Sequence, residues 1–123
     1  MPYPFTTNND VIVRTDWTNT WISAMLIRSN SIVSVIKRNM SKTEKELGVY
    51  SKECMIILWA LKTWKNLVKN RNIIVITDNE EIMSDLKYPN LYNNYFMGKL
   101  QKHNILFIDD DDAIPSWDLC ESD

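Results

Sequence analysis

Two apolar runs and the helical stripe between them fix most of what this chain can become. Val11-Ile12-Val13-Arg14-Thr15 and Asn72-Ile73-Ile74-Val75-Ile76-Thr77 read as strands, and each leads directly into an acid, Asp16 and Asp78. Between them Cys54, Ile57, Leu58, Leu61, Trp64 and Val68 recur at helical spacing, a continuous apolar stripe that has to pack against something. Strand, helix and strand in this order predict a crossover unit that makes the two strands parallel neighbours. The second strand is apolar on both faces, as a central parallel strand is. Ligands of open α/β sheets gather beyond the carboxyl ends of such strands, where Asp16 and Asp78 both fall. Glu53, one helical turn before Ile57, opens the helix on the edge of the stripe and can lean towards them.

The rest of the chain reads as one α/β domain built around that unit. Residues 1 to 9, with two prolines and the polar run Thr6-Thr7-Asn8-Asn9, read as a linker or a join from a larger chain. Residues 10 to 123 form the domain. A first strand covers 10 to 16, and Asp16-Trp17-Thr18-Asn19-Thr20 reads as a turn. Strands at Trp21 to Arg28 and Ser31 to Arg38, joined by a Ser29-Asn30 turn, complete an antiparallel meander. Residues 39 to 49 are polar and end near Gly48. The helix is expected from Tyr50 to Lys69 with Ser51 as a possible cap. Helices at Glu80 to Leu86 and Leu91 to His103 and a fifth strand at Ile105 to Ile108 follow. The expected architecture is therefore a five-stranded mixed sheet with flanking helices.

Composition removes several classes of function. At 123 residues, with 45% hydrophobic and 24% charged residues, the chain can bury a core but is too short for two domains. No apolar run approaches the roughly 20 residues of a membrane span, and Met-Pro-Tyr-Pro-Phe lacks the pattern of a signal peptide. Cys54 and Cys120 form no metal or disulfide framework, which fits a reducing compartment. Two glycines provide no Gly-rich phosphate loop. His103 is the single histidine, so a serine nucleophile would have no supported base.

Charge is unevenly distributed. Residues 109 to 123 hold seven of the sixteen acids and no Lys or Arg, which leaves nine acids against fourteen Lys and Arg in the remainder. A basic body with an acidic end is compatible with a nucleic-acid partner. Lys62, Lys65, Lys69 and Arg71 make a basic edge that is either a solvated face or a phosphate contact. Trp59 and Trp64 read as core aromatics. Trp17 and Trp21 either stack on nucleic acid or pack under the first hairpin.

Three carboxylates converging at strand ends suit Mg²⁺, with Mn²⁺ as a substitute, because such ions take oxygen ligands and keep several waters. Two such ions can activate water and relieve charge on a leaving oxygen, the two needs of phosphodiester hydrolysis. The plainer reading makes Asp78 a turn acid, Glu53 a partner of the helix dipole and Asp16 a loop residue. The order of all three along one crossover favours the site.

The local wording adds to this. Thr15-Asp16 with Ser23-Ala24-Met25-Leu26 resembles the first-strand motif of retroelement ribonucleases H. Tyr50-Ser51-Lys52-Glu53-Cys54-Met55-Ile56-Ile57-Leu58-Trp59-Ala60-Leu61 resembles the family's acidic helix, and Ile76-Thr77-Asp78-Asn79 its third acidic motif. The resemblance covers roughly residues 8 to 120 and is nearest to gypsy-like retrotransposons and caulimovirus-like plant pararetroviruses. It implies a ribonuclease-H-like fold and cleavage of the RNA strand of RNA–DNA hybrids, with an upstream reverse transcriptase polymerase in the same polyprotein. It makes Asp16, Glu53 and Asp78 metal ligands and catalytic residues, and Asp118, in Trp117-Asp118-Leu119, the nearest match to a fourth. Substrate contacts carry over to Thr18, Asn19, Ser51 and Asn79. The implied setting is the host cytoplasm or a virus-like particle, with no membrane partner.

The chain departs from the family in three places. Trp117-Asp118-Leu119 is one residue short of the family stretch, with Asp109 to Asp112 as nearby substitutes. Those four aspartates stand where the family carries a His-x-Pro-Gly loop. Trp21 and Ser23 stand where glycines are expected. Two alternatives therefore stay open: a non-catalytic module that supports a polymerase or binds nucleic acid, and a nuclease of the same fold acting on structured DNA.

Overall fold

A computed structural model describes residues 9–77, 79–87 and 95–109. Strands β1 (Asp10–Trp17), β2 (Trp21–Arg28), β3 (Ser31–Asn39), β4 (Asn72–Thr77) and β5 (Ile105–Asp109) form one sheet in the order β3-β2-β1-β4-β5. The meander pairs antiparallel, with Val13 opposite Leu26 and Met25 opposite Val35. The crossover is as expected: β1 and β4 run parallel with Val13 beside Val75, and β4 and β5 run parallel with Val75 beside Phe107. Ser29 and Asn30 both take positive φ, 52° and 64°, the left-handed pair that lets a two-residue turn follow the strand twist.

Strand alternation sends the core in two directions. Val11, Val13, Ala24, Leu26, Ile73 and Val75 face the helices, where they meet Cys54, Ile57, Ala60, Leu61 and Trp64. Ile12, Ile27, Ile74 and Ile76 form a separate cluster on the opposite face. The described helices that bury residues contribute none to that second cluster.

The helices correct the sequence expectations at several points. The polar segment before the long helix holds a short helix, α1 (Lys42–Lys45), with a capping box: Ser41 and Glu44 each accept a hydrogen bond from the other's backbone N–H. The long helix α2 runs Val49–Thr63, so Glu53 is its fifth residue rather than its opening one. Ser51 is not its cap. Gly48 occupies that position in extended backbone (φ −67°, ψ 166°) with no side-chain capping bond, and Lys52 N–H donates to its carbonyl at 2.9 Å.

The helix also stops before Lys69. The Thr63 hydroxyl donates to the Trp59 carbonyl at 2.8 Å, a back-bond that tends to bend helices. Trp64 is buried and its indole N–H donates to Ser34 Oγ at 3.1 Å, so tertiary anchoring holds it at the break. Short helix α3 (Lys65–Val68) follows, then Asn70 at φ 62° turns the chain into β4. Helices α4 (Glu80–Lys87) and α5 (Tyr95–Leu100) bury Ile82, Met97 and Leu100 against α2. β1 reaches Trp17, one residue further than expected, because Trp17 still pairs with Ile22. The final segment, including Asp118 and residues 110–112, lies outside the described residues.

Candidate active site

Parallel pairing of β1 with β4 brings the ends of both strands to one side of the sheet, and α2 enters above them. There Arg14, Thr15, Asp16, Trp17, Glu53, Ile76 and Thr77 line a cleft of about 300 Å³. Asp16 is exposed, and its Oδ1 accepts the Trp17 N–H at 2.8 Å. Glu53 is half-buried, and its Oε2 accepts the Thr77 hydroxyl at 3.1 Å. The structure thus brings together two of the four acids read from the sequence. Asp78, the residue after Thr77, and Asp118 lie outside the described residues. Among the described residues no three His, Cys, Asp or Glu side chains converge as a metal-binding group.

Thr77 organises this corner. It is 6% exposed at the end of β4. Its Oγ1 donates to Glu53 and accepts the Asn79 N–H at 3.0 Å. One hydroxyl therefore orients a carboxylate on α2 and ties the end of β4 to Asn79 before α4. Asn79 caps α4, its Oδ1 accepting the Ile82 N–H at 3.1 Å. The sequence placed Thr77 at the end of a strand and in the Ile76-Thr77-Asp78-Asn79 motif, with no role for its hydroxyl. A hydroxyl two residues before a turn N–H is a known local pattern, but its bond to Glu53 depends on how α2 lies over the sheet.

The other sequence candidates are less tightly placed. Thr18 and Asn19 are exposed in the β1–β2 turn, where the Thr18 hydroxyl accepts the Thr20 and Trp21 N–H groups at 3.3 and 3.2 Å. Ser51 is half-buried in the first turn of α2. Lys52, not singled out from sequence, is 8% exposed. Its Nζ sits 4.6 Å from the Trp17 ring centroid and donates to the Lys45 carbonyl at 3.5 Å. Trp17 also packs beside Ile22, Met40, Met55 and Ile56, which favours its packing role. Trp21 carries the Lys37 ammonium 3.9 Å from its ring centroid. His103 is exposed.

A crossover sheet of order 3-2-1-4-5, with two carboxylates facing one cleft at its strand ends, defines the architecture of a ribonuclease-H-like domain. The family model for the RNase H-like domain found in reverse transcriptase matches residues 6–105, and the chain belongs to that family. It is 26% identical over 80 residues to the retrovirus-related Pol polyprotein from transposon 297 of Drosophila melanogaster. That match covers 63% of this chain and 8% of the polyprotein. The foamy viral protease-reverse transcriptase, solved in complex with double-stranded DNA, superimposes with a TM-score of 0.66 at 14% identity, over 85% of this chain and 24% of that one. LC11-RNase H1, solved in complex with an RNA/DNA hybrid, gives a TM-score of 0.62 at 12% identity, over 80% and 83% of the two chains. At such identities the structures establish the fold. This chain spans a small part of its polyprotein and viral relatives. Among the described residues no helix is long and apolar enough to cross a membrane.

Proposed function

We propose that this domain cleaves the RNA strand of RNA–DNA hybrids, as the C-terminal domain of a reverse transcriptase, at a site formed by Asp16, Glu53, Asp78 and Asp118. The observation that carries the reading is the Thr77 hydroxyl, which holds Glu53 in the cleft shared with Asp16. A hydroxyl bond of this kind orients an acid for a task. Membership in a reverse-transcriptase domain family and hybrid binding by LC11-RNase H1 supply the substrate class.

The donor set fits Mg²⁺ or Mn²⁺, since Asp16 and Glu53 present hard carboxylate oxygens to an open cleft that leaves room for waters. Two such ions, when bound, supply a stronger nucleophile and charge relief at the leaving oxygen. The chain's own residues hold and aim the acids: Thr77 orients Glu53, and the Trp17 N–H orients Asp16. In this reading the exposed Thr18 and Asn19, with Ser51 and the Asn79 amide, face the substrate. Residues 1–9 join the domain to the upstream polymerase, which supplies most of the affinity for hybrid. The work takes place in the host cytoplasm or in virus-like particles.

The test is cleavage of an end-labelled RNA–DNA hybrid with Mn²⁺, by this chain alone and fused to its upstream polymerase. Cutting of the RNA strand should fall by orders of magnitude in Asp78→Asn and in Glu53→Gln. Absence of cleavage in both formats would establish the non-catalytic module instead.

A further inference from the structure

A second cleft of about 550 Å³ runs between α2 and α5. Trp59, Tyr95 and Phe96 supply aromatic surface to it. Lys62 and Lys65, on α2 and α3, line one wall, and Lys99, Lys102 and His103, in and just after α5, line the other. All five basic residues are exposed, and no Asp or Glu is among the described lining residues. Lys62 lies near the end of α2 and Lys65 opens α3, while Lys99 lies in α5 and Lys102 and His103 just beyond it, so basic side chains line both walls of the groove. Tyr95 is 69% exposed. Phe96 meets it edge-on with centroids 5.3 Å apart, and Lys99 Nζ lies 5.0 Å from its centroid.

An exposed aromatic ring braced by a second ring, between two rows of lysines, is the chemistry that holds an extended single strand. Bases cover aromatic faces while phosphates lie against the cations. An acidic peptide could match the charge, but it would leave the open face of Tyr95 uncovered. We propose that the α2–α5 groove binds a single-stranded stretch of nucleic acid, outside the carboxylate cleft. The proposal shares with the function above only the class of ligand, and needs neither metal nor cleavage.

The test is fluorescence anisotropy of a labelled oligothymidylate of about ten nucleotides, with EDTA present and the 123-residue chain titrated in. Tyr95→Ala should weaken binding roughly 5- to 150-fold. The double variant Lys62→Ala/Lys99→Ala should weaken it too and flatten the logarithmic salt slope by about 1.4. Both changes lie on exposed side chains, and unaltered thermal melting by circular dichroism confirms that each variant folds. Asp16→Asn should bind like the parent chain; clearly tighter binding in that variant would overturn the proposal, because losing a carboxylate relieves repulsion of phosphates only where the strand lies beside it, in the carboxylate cleft. Oligonucleotide binding that ignores both groove variants also overturns it, as does a groove that takes a polyglutamate peptide and no oligonucleotide.

Discussion

Removing the Thr77 hydroxyl while keeping the shape of the side chain isolates the bond on which the site's organisation depends. In Thr77→Val, Glu53 Oε2 loses a donor at 3.1 Å and the Asn79 N–H loses an acceptor at 3.0 Å. Thr77 is buried and Asn79 half-buried beside it, so water cannot readily replace the acceptor of the Asn79 N–H, whereas Glu53 faces the open cleft and would turn to water. Leaving such an N–H unmatched costs about 1–3 kcal/mol in stability, readable as a lower urea midpoint at constant slope. The functional loss should be the larger signal. Groups that orient metal-binding carboxylates change metal affinity or activity by roughly 10- to 100-fold when removed. Mn²⁺ affinity and hybrid cleavage should therefore both fall, and Thr77→Ser, which keeps the hydroxyl, should restore both. A Val variant with the parent's stability, Mn²⁺ affinity and cleavage rate would refute the reasoning.

Two further expectations concern stability. Glu44 forms a two-pronged pair with Arg38, at 2.7 and 2.8 Å, which with the Ser41 N–H holds its carboxyl at about 2 rather than the ordinary 4.5. Because the folded value is the lower one, the contribution is complete above about pH 4.5 and disappears as pH falls through that window to about 2. Arg38 is 36% exposed, so solvent screening reduces the gain to roughly 1 kcal/mol, and Glu44→Gln should remove this part of the pH dependence in acid-unfolding curves. Ile57 is fully buried between α2 and the sheet, so Ile57→Ala should cost about 2–5 kcal/mol in urea unfolding.

The parts of the fold that could be read from sequence were those whose local pattern and tertiary setting agree. β4 is apolar on both faces because both faces of a central parallel strand are covered, and the Ser29-Asn30 turn lies between two clear runs. The end of α2 was hidden because the apolar stripe continues through Val68, across a break set by Thr63 and by Trp64's bond to a strand residue 30 positions away. α1 carried a readable signature, Ser41 with Glu44 three residues later, within a segment too polar to suggest burial. At the site, Asp16 and Glu53 were legible because order along a crossover predicts where strand ends and helix starts meet. The Thr77 bond to Glu53 was not, since hydroxyl direction is decided by packing between elements far apart in sequence.

The most direct measurement is Mn²⁺ titration of the ¹⁵N-labelled chain, followed by paramagnetic broadening of its amide signals. Broadening should concentrate at Asp16, Trp17, Glu53 and Thr77, leave the Ser31 end of β3 and the far end of α2 sharp, and disappear in Asp16→Asn and Glu53→Gln. Broadening centred elsewhere, or unchanged by both substitutions, would contradict a carboxylate site at this cleft.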